Sequence, residues 1–144
     1  MTPEIDITIK LLVACLFGAF IGYSREKEKK AAGLRTHILV TLGAALFTLI
    51  SIYFSKESPN SDATRIMSNI VVGIGFIGAG TIMQNAEGFV VGITTAASVW
   101  VSAAVGMAVG VGFYFAATLV TLIAVFVLHI LHPLEKKYIR GQKD

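Results

Sequence analysis

Arg25, Glu26, Glu28, Arg35, Thr36 and His37 lie close together between two apolar runs. Two guanidiniums and an imidazole could grip an anion, with the two carboxylates balancing their charge. The plainer reading is a solvated basic loop drawn to anionic lipid headgroups, worth about 1 kcal/mol per positive charge near the surface. That reading suits Lys27, Lys29 and Lys30. It suits Arg25, Arg35 and His37 less well, because they abut the apolar runs and need partners. Arg35, following Gly33 and Leu34, can fold back onto a carboxylate such as Glu26 or hold a ligand anion. Ligand binding and structural anchoring both stay open at this point.

A second polar group is Asp62, Arg65 and Asn69, at the start of another apolar run. It could admit a cation, but a carboxylate there also suits a helix cap and complements the helix dipole. His129 and His132 share a helix face at i, i+3 just before Pro133, yet no further ligands complete a tetrahedral set. Magnesium prefers carboxylates and water, and Asp62, Glu26, Glu28 and Glu87 are the donors it would find. Gly73, Gly75 and Gly78 satisfy G-x-G-x-x-G as a string, but no strand precedes them and Glu87 comes too early for a ribose-binding acid. Nucleophile elbow, paired carboxylates within one run and HExxH are all missing, so no enzyme, cofactor or resident metal is expected.

The elements that must position these groups are set by hydropathy. The 144 residues are 55% hydrophobic with mean hydropathy +0.75, and charged residues make up 15%. From Phe89 to Leu131 the chain has 43 residues without Asp, Glu, Lys or Arg, about two bilayer spans at ~20 residues each. Lipid offers the backbone no hydrogen-bond partners, so such spans must be helical. The net charge of +3 is confined to loops, which favours a membrane surface over nucleic acid as the basic region's neighbour. Cys15 is alone and reads as a small packing residue. The front end, Met1 to Asp6, is acidic, so the first apolar run is read as a retained span and not as a cleaved signal.

Apolar length and polar punctuation predict an all-α membrane protein, a bundle of five transmembrane helices. They run from about Ile7 to Tyr23, His37 to Phe54, Ile66 to Met83, Ile93 to Val109 and Phe113 to Leu131, with the reversal near Gly106, Gly110 and Gly112. The loop after the first span carries Arg25, Lys27, Lys29, Lys30 and Arg35; the tail carries Lys136, Lys137, Arg140 and Lys143. Cytoplasmic loops collect Lys and Arg. Five spans put both basic regions on that side, with the N-terminus out and the C-terminus in. The domain division is then a transmembrane domain over 1–134 and a basic cytoplasmic tail over 135–144.

Helices in lipid associate where small residues let backbones approach. Gly18 and Gly22 form one such pair, and the glycines of the third span (Gly73, Gly75, Gly78, Gly80) mark either a helix approached closely by its neighbours or one locally loosened where it lines a cavity. In the fourth span Thr94, Ser98, Ser102, Gly106 and Gly110 recur every four residues. This stripe is the surface expected to meet a partner, and Trp100 is expected to pack into a small-residue groove. There is also a faint echo. Gly18-Ala-Phe-Ile-Gly22 precedes Gly33-Leu-Arg-Thr36 much as Gly78-Ala-Gly80 precedes Gly92-Ile-Thr-Thr95, as a parallel repeat of two-helix units would.

Three stretches together resemble the MgtC/SapB family of bacterial inner-membrane proteins: Ser24-Arg-Glu-Lys-Glu-Lys-Lys-Ala-Ala-Gly-Leu-Arg-Thr-His37, Gly73-Ile-Gly-Phe-Ile-Gly-Ala-Gly80, and Gly92-Ile-Thr-Thr-Ala-Ala-Ser-Val-Trp100. The resemblance covers about Gly18 to Phe115. It implies a multi-span protein tied to magnesium limitation and acid stress and, in pathogens, to survival in macrophages. It does not by itself imply direct magnesium transport; some members are thought to modulate another membrane complex, the F-type ATP synthase. By similarity, Arg25, Glu26, Gly33, Arg35, Thr36, His37, Asp62, Arg65, the third-span glycines and Thr95 fall on motif positions. Ser24 departs where the family usually has an acid, and Ala63 where a proline is common. The chain is further expected to be a short form without the cytoplasmic regulatory domain of larger members.

The leading expectation is thus a non-enzymatic regulator in the bacterial inner membrane. It would act as a homo-oligomer or with a membrane-protein partner, with anionic lipid headgroups around its basic loop and no nucleic acid. A small ion or solute transporter or channel competes, and would use Arg35, Asp62, Arg65, Asn69 and the glycine-rich third span. A scaffold without a dedicated site is the third reading.

Overall fold

The computed structural model describes residues 2–57 and 62–131. Five α-helices follow in order: α1 Pro3–Lys27, α2 Leu34–Glu57, α3 Ala63–Ala79, α4 Ile93–Val111 and α5 Tyr114–Phe126, which continues into a π-helical turn over Val127–Leu131. By length and composition α1, α2 and α4 could each cross a membrane, while α3 and α5 are shorter apolar helices. The tail 135–144 and His132 lie outside the described residues.

Local chemistry sets the boundaries. Pro3 opens α1, where its fixed φ and missing N–H cost nothing. The helix runs past the expected Tyr23 to Lys27 and closes with Lys29 at φ +52, the Lys30 amide donating back to the Arg25 carbonyl at 3.0 Å. That is a Schellman closure built on lysine in place of the usual glycine. α3 starts three residues before the expected Ile66, because Asp62 caps it. It stops at Ala79, short of Met83. The residues beyond form a feature the hydropathy did not announce, a two-stranded antiparallel hairpin pairing Met83 with Val91 (β1, Met83–Gln84) and Gln84 with Val90 (β2, Val90–Val91). The Asn85 side chain accepts from the Glu87 and Phe89 amides, and Gly88 takes φ +85 at the turn.

Gly92 and Gly112, both at φ +95, bracket α4. The reversal between α4 and α5 therefore falls on Gly112 alone. Gly106 and Gly110 stay helical and do a different job. A Cβ on Gly106 would run into the Thr41 carbonyl oxygen, and one on Gly110 would sit 2.8 Å from Thr48 Cβ and 2.9 Å from the Ala45 carbonyl oxygen. Gly18 of α1 faces α2 in the same way, with the His37 carbonyl oxygen 2.7 Å from its hypothetical Cβ, and Gly22 meets the Leu34 Cα at 2.8 Å. α2 is thus clasped between α1 and α4. Ala14, Ile21, Ala45, Val105, Val109 and Ala117 fill the core beside that seam.

Three expectations fail here in whole or in part. Ser98, Ser102, Gly106 and Gly110 are buried inside the chain against α2, so the stripe is not a free partner surface. Trp100 points outward from the same helix, 49% exposed, and does not sit in a groove. Gly73 and Gly75 have nothing within 4 Å of where a Cβ would stand: Gly73 borders an open groove facing α2, as the cavity-lining alternative had it, and Gly75 is exposed and makes no helix contact there. Gly80 meets only the carbonyls of its own last turn; Gly78 alone of the four touches another helix, at Ala96.

Candidate functional site

The polar residues of the sequence motifs separate into three places. The first is a buried cluster at the end of the bundle where α1 stops and α2 and α4 start. The Schellman turn holds Arg25 against the N-terminal turn of α4. Its Nη2 donates to Thr95 Oγ1 at 2.7 Å, and the residue is 2% exposed. Glu28 lies 3.7 Å from Nη1, close enough to balance the charge but not to bond it, and Lys30 stands equally far from the same oxygen. Among the described residues Arg25 Nε and Glu28 Oε2 are buried without a hydrogen-bond partner.

His37 is next to this pair and wholly buried. Its Nδ1 lies 2.7 Å from the Gly33 carbonyl, an acceptor only, so we assign the proton to Nδ1. Nε2, 3.1 Å from Ser98 Oγ, then accepts from the serine hydroxyl. Glu26 does not take Arg35 as expected. Its Oε2 accepts from the Leu34 amide at 2.9 Å, capping α2 from a neighbouring helix. Gly33 is needed because a Cβ there would collide with that carboxylate. Thr95 and Ser98, reached from opposite ends of the sequence motifs, are the partners that make this cluster close. Sequence reasoning placed Thr95 on a motif position and Ser98 on the packing stripe, but not their bonds to Arg25 and His37.

The second place is the start of α3. Asp62 accepts from the Thr64 amide at 2.8 Å and from the Thr64 hydroxyl at 2.7 Å, so it acts as a helix cap. These bonds to Thr64, with Arg65 adding a smaller effect, hold its carboxyl below the usual range against a slight opposing effect of desolvation. Arg65 is exposed and donates its backbone amide to the Asp62 carbonyl; Asn69, one turn farther along α3, lines the groove described below. The three do not assemble into a cation site. No group of three or more His, Cys, Asp or Glu that could hold a metal occurs among the described residues.

The third place is a groove of about 650 Å³ between α2 and α3. Arg35 and Thr36 stand at one end, Asn69 lies farther along, and Leu39, Val40, Gly43, Phe47, Ile70 and Gly73 make much of the apolar lining. Arg35 is exposed and makes no ion pair among the described residues. Gly43 is the groove residue that the sequence did not single out; a lone glycine in an apolar run carries no signal of which side it faces.

The MgtC family model matches residues 11–137. The chain is 46% identical over 127 residues to Protein MgtC of Brucella abortus strain 2308, covering 84% of this chain and 51% of that one. It is 40% identical over 139 residues to the Escherichia coli K12 protein named "Putative magnesium transporter YhiD", covering 93% and 63%. It is 38% identical over 128 residues to Protein SapB of Bacillus subtilis strain 168, covering 83% and 55%. The chain therefore spans between half and two thirds of the length of these relatives. No solved structure matches it. The family model takes in all three motif stretches, including the two that build the buried cluster, and the chain belongs to the MgtC family.

Proposed function

We propose that this chain is a non-enzymatic regulator of the bacterial inner membrane, linked to magnesium limitation and acid stress and, in pathogens, to virulence. It crosses the bilayer five times with the N-terminus out and the C-terminus in, and acts by helix contact with a membrane partner such as the F-type ATP synthase. The observation that carries this reading is the buried cluster. Arg25 bonds Thr95, His37 bonds Gly33 and Ser98, and Glu26 caps α2, so the motif side chains are spent on holding three helices together. The other hydroxyls along the α2–α4 seam behave alike: Thr41, Thr48 and Ser102 donate to carbonyls of their own helices. A seam of satisfied hydroxyls and glycines against backbone leaves no polar path through it.

Because the α4 stripe is used internally, partner contact falls to the outward faces of α3 and α5, where Phe76 and Phe115 are 78% and 83% exposed. A photocrosslinker at either position in native membranes is expected to capture a discrete membrane protein; lipid-only adducts at both would overturn the partner contact. The topology has its own check. A reporter fused beyond Asp144 should be active only in the cytoplasm, and activity confined to the periplasm overturns it.

Transport of an ion or solute is the second reading, favoured by the groove with its exposed Arg35 and by the name given to the Escherichia coli relative. Purified protein in liposomes decides between them. Magnesium flux above that of empty liposomes, lost in Arg35→Ala, would establish transport; flux equal to the blank supports regulation.

A further inference from the structure

The groove between α2 and α3 has the length, lining and charge of a seat for one phospholipid. From Arg35 to Phe47, α2 rises ~18 Å at 1.5 Å per residue. Half of a ~30 Å hydrocarbon core is ~15 Å, the depth of a single acyl chain. Gly43 and Gly73 lie on the groove, and a Cβ on either would meet nothing, so the channel between the helices is open by a methyl group's width on each side. Leu39, Ile70 and Ile77 line it with hydrocarbon.

The charge stands at one end. Arg35 shares its end of the bundle with the Lys27–Lys30 turn, which the distribution of Lys and Arg puts at the cytoplasmic headgroup layer. A guanidinium takes phosphate oxygens through two parallel hydrogen bonds, and the Thr36 hydroxyl beside it can add a third. Unlike Arg25, Arg35 makes no ion pair among the described residues.

We propose that this groove binds one anionic phospholipid of the cytoplasmic leaflet, with its phosphate on Arg35 and Thr36 and one acyl chain laid over Gly43 and Gly73. A partner helix fits less well, since a spanning helix runs ~30 Å and the groove stops near Phe47 and Ile66. A second copy of this chain docked symmetrically through the groove would bring two Arg35 side chains to the same level. The inference goes beyond the regulatory reading and does not need it; flux or partner capture can fail while the lipid site stands.

The test is lipid retention by the purified full chain in mild detergent, read by native mass spectrometry after exchange into phosphatidylglycerol or phosphatidylcholine. One phosphatidylglycerol per chain is expected, with phosphatidylcholine washed out. Arg35→Ala is expected to weaken phosphatidylglycerol retention about tenfold, and Arg35→Lys to restore part of it. Gly73→Leu directs a side chain into the open groove, where its Cβ meets nothing, so its melting temperature should stay put while bound lipid is lost. No retained lipid, equal retention of both lipids, or retention unchanged in Arg35→Ala would overturn the proposal. So would a Gly73→Cys variant whose crosslinks go to a second copy or another protein in place of lipid.

Discussion

α2 shows two unlike faces. Toward α1 and α4 it meets glycines whose missing Cβ atoms let backbones touch: Gly18, Gly106 and Gly110 each stand against a carbonyl of α2. Toward α3 it offers Gly43 opposite Gly73, and neither touches anything. The residue type is the same and the apolar surroundings are similar, yet one seam is closed and the other open. The difference teaches that a small residue in a spanning helix permits close approach without requiring it. What closes the first seam is the polar cluster at its end. Arg25 ties α1 to α4, and His37 ties α2 to α4 through Ser98, so the helices cannot separate without exposing a buried guanidinium and imidazole. Among the described residues nothing comparable ties α3 to α2 along the groove; Ser51 donating to the Ala63 carbonyl joins them at the far end.

The largest effect should come from forcing the closed seam open. Gly106→Leu puts a side chain into the Thr41 carbonyl, and overpacking against backbone costs about 3 kcal/mol, the upper part of the usual range. Thermal melting in detergent should show a large drop for this variant and almost none for Gly73→Leu. Equal drops would erase the contrast between the two faces. Next in size is Thr95→Ala, which takes away the hydroxyl that Arg25 donates to and leaves a buried charge poorly bonded. A loss of about 2 kcal/mol is expected, and Thr95→Ser should recover most of it because the oxygen returns. If serine melts like alanine, the methyl and not the hydrogen bond matters at that position.

The smallest effect sharpens the comparison at the weakly held helix. Bonds from Thr64 lower the Asp62 carboxyl below its ordinary value, so the folded state binds this proton less readily than the unfolded chain. Its stabilisation is therefore complete above the ordinary aspartate value and fades as pH falls through the lowered one. Asp62→Ala should cut the melting temperature slightly near neutrality and converge on the parent at acid pH. A gap that persists or widens on acidification would mean that Asp62 contributes by something other than its charge.

The number and type of the helices were legible, because apolar length and interrupting charge are local properties. Boundaries shifted where a single cap decided them, as at Asp62 and Lys29. The β1–β2 hairpin passed unnoticed since its strands are two residues each, although Asn85 and Gly88 were visible turn formers. At the candidate site the sequence marked Arg25, His37 and Thr95 as residues needing explanation. It could not pair Arg25 with a threonine 70 positions away, and it offered Glu26 to Arg35 where the fold gives it to the Leu34 amide.

What the residues alone determined is the helical, lipid-compatible character of the chain and the confinement of its charge to a few turns; both follow from the cost of bare backbone and bare charge in hydrocarbon. Which face of each helix is spent inside, and which motif residue answers which, was decided only by the packing of α1, α2 and α4. Such contacts join distant parts of the chain, and a glycine or a serine looks the same in the sequence whether a neighbour has come to meet it or not.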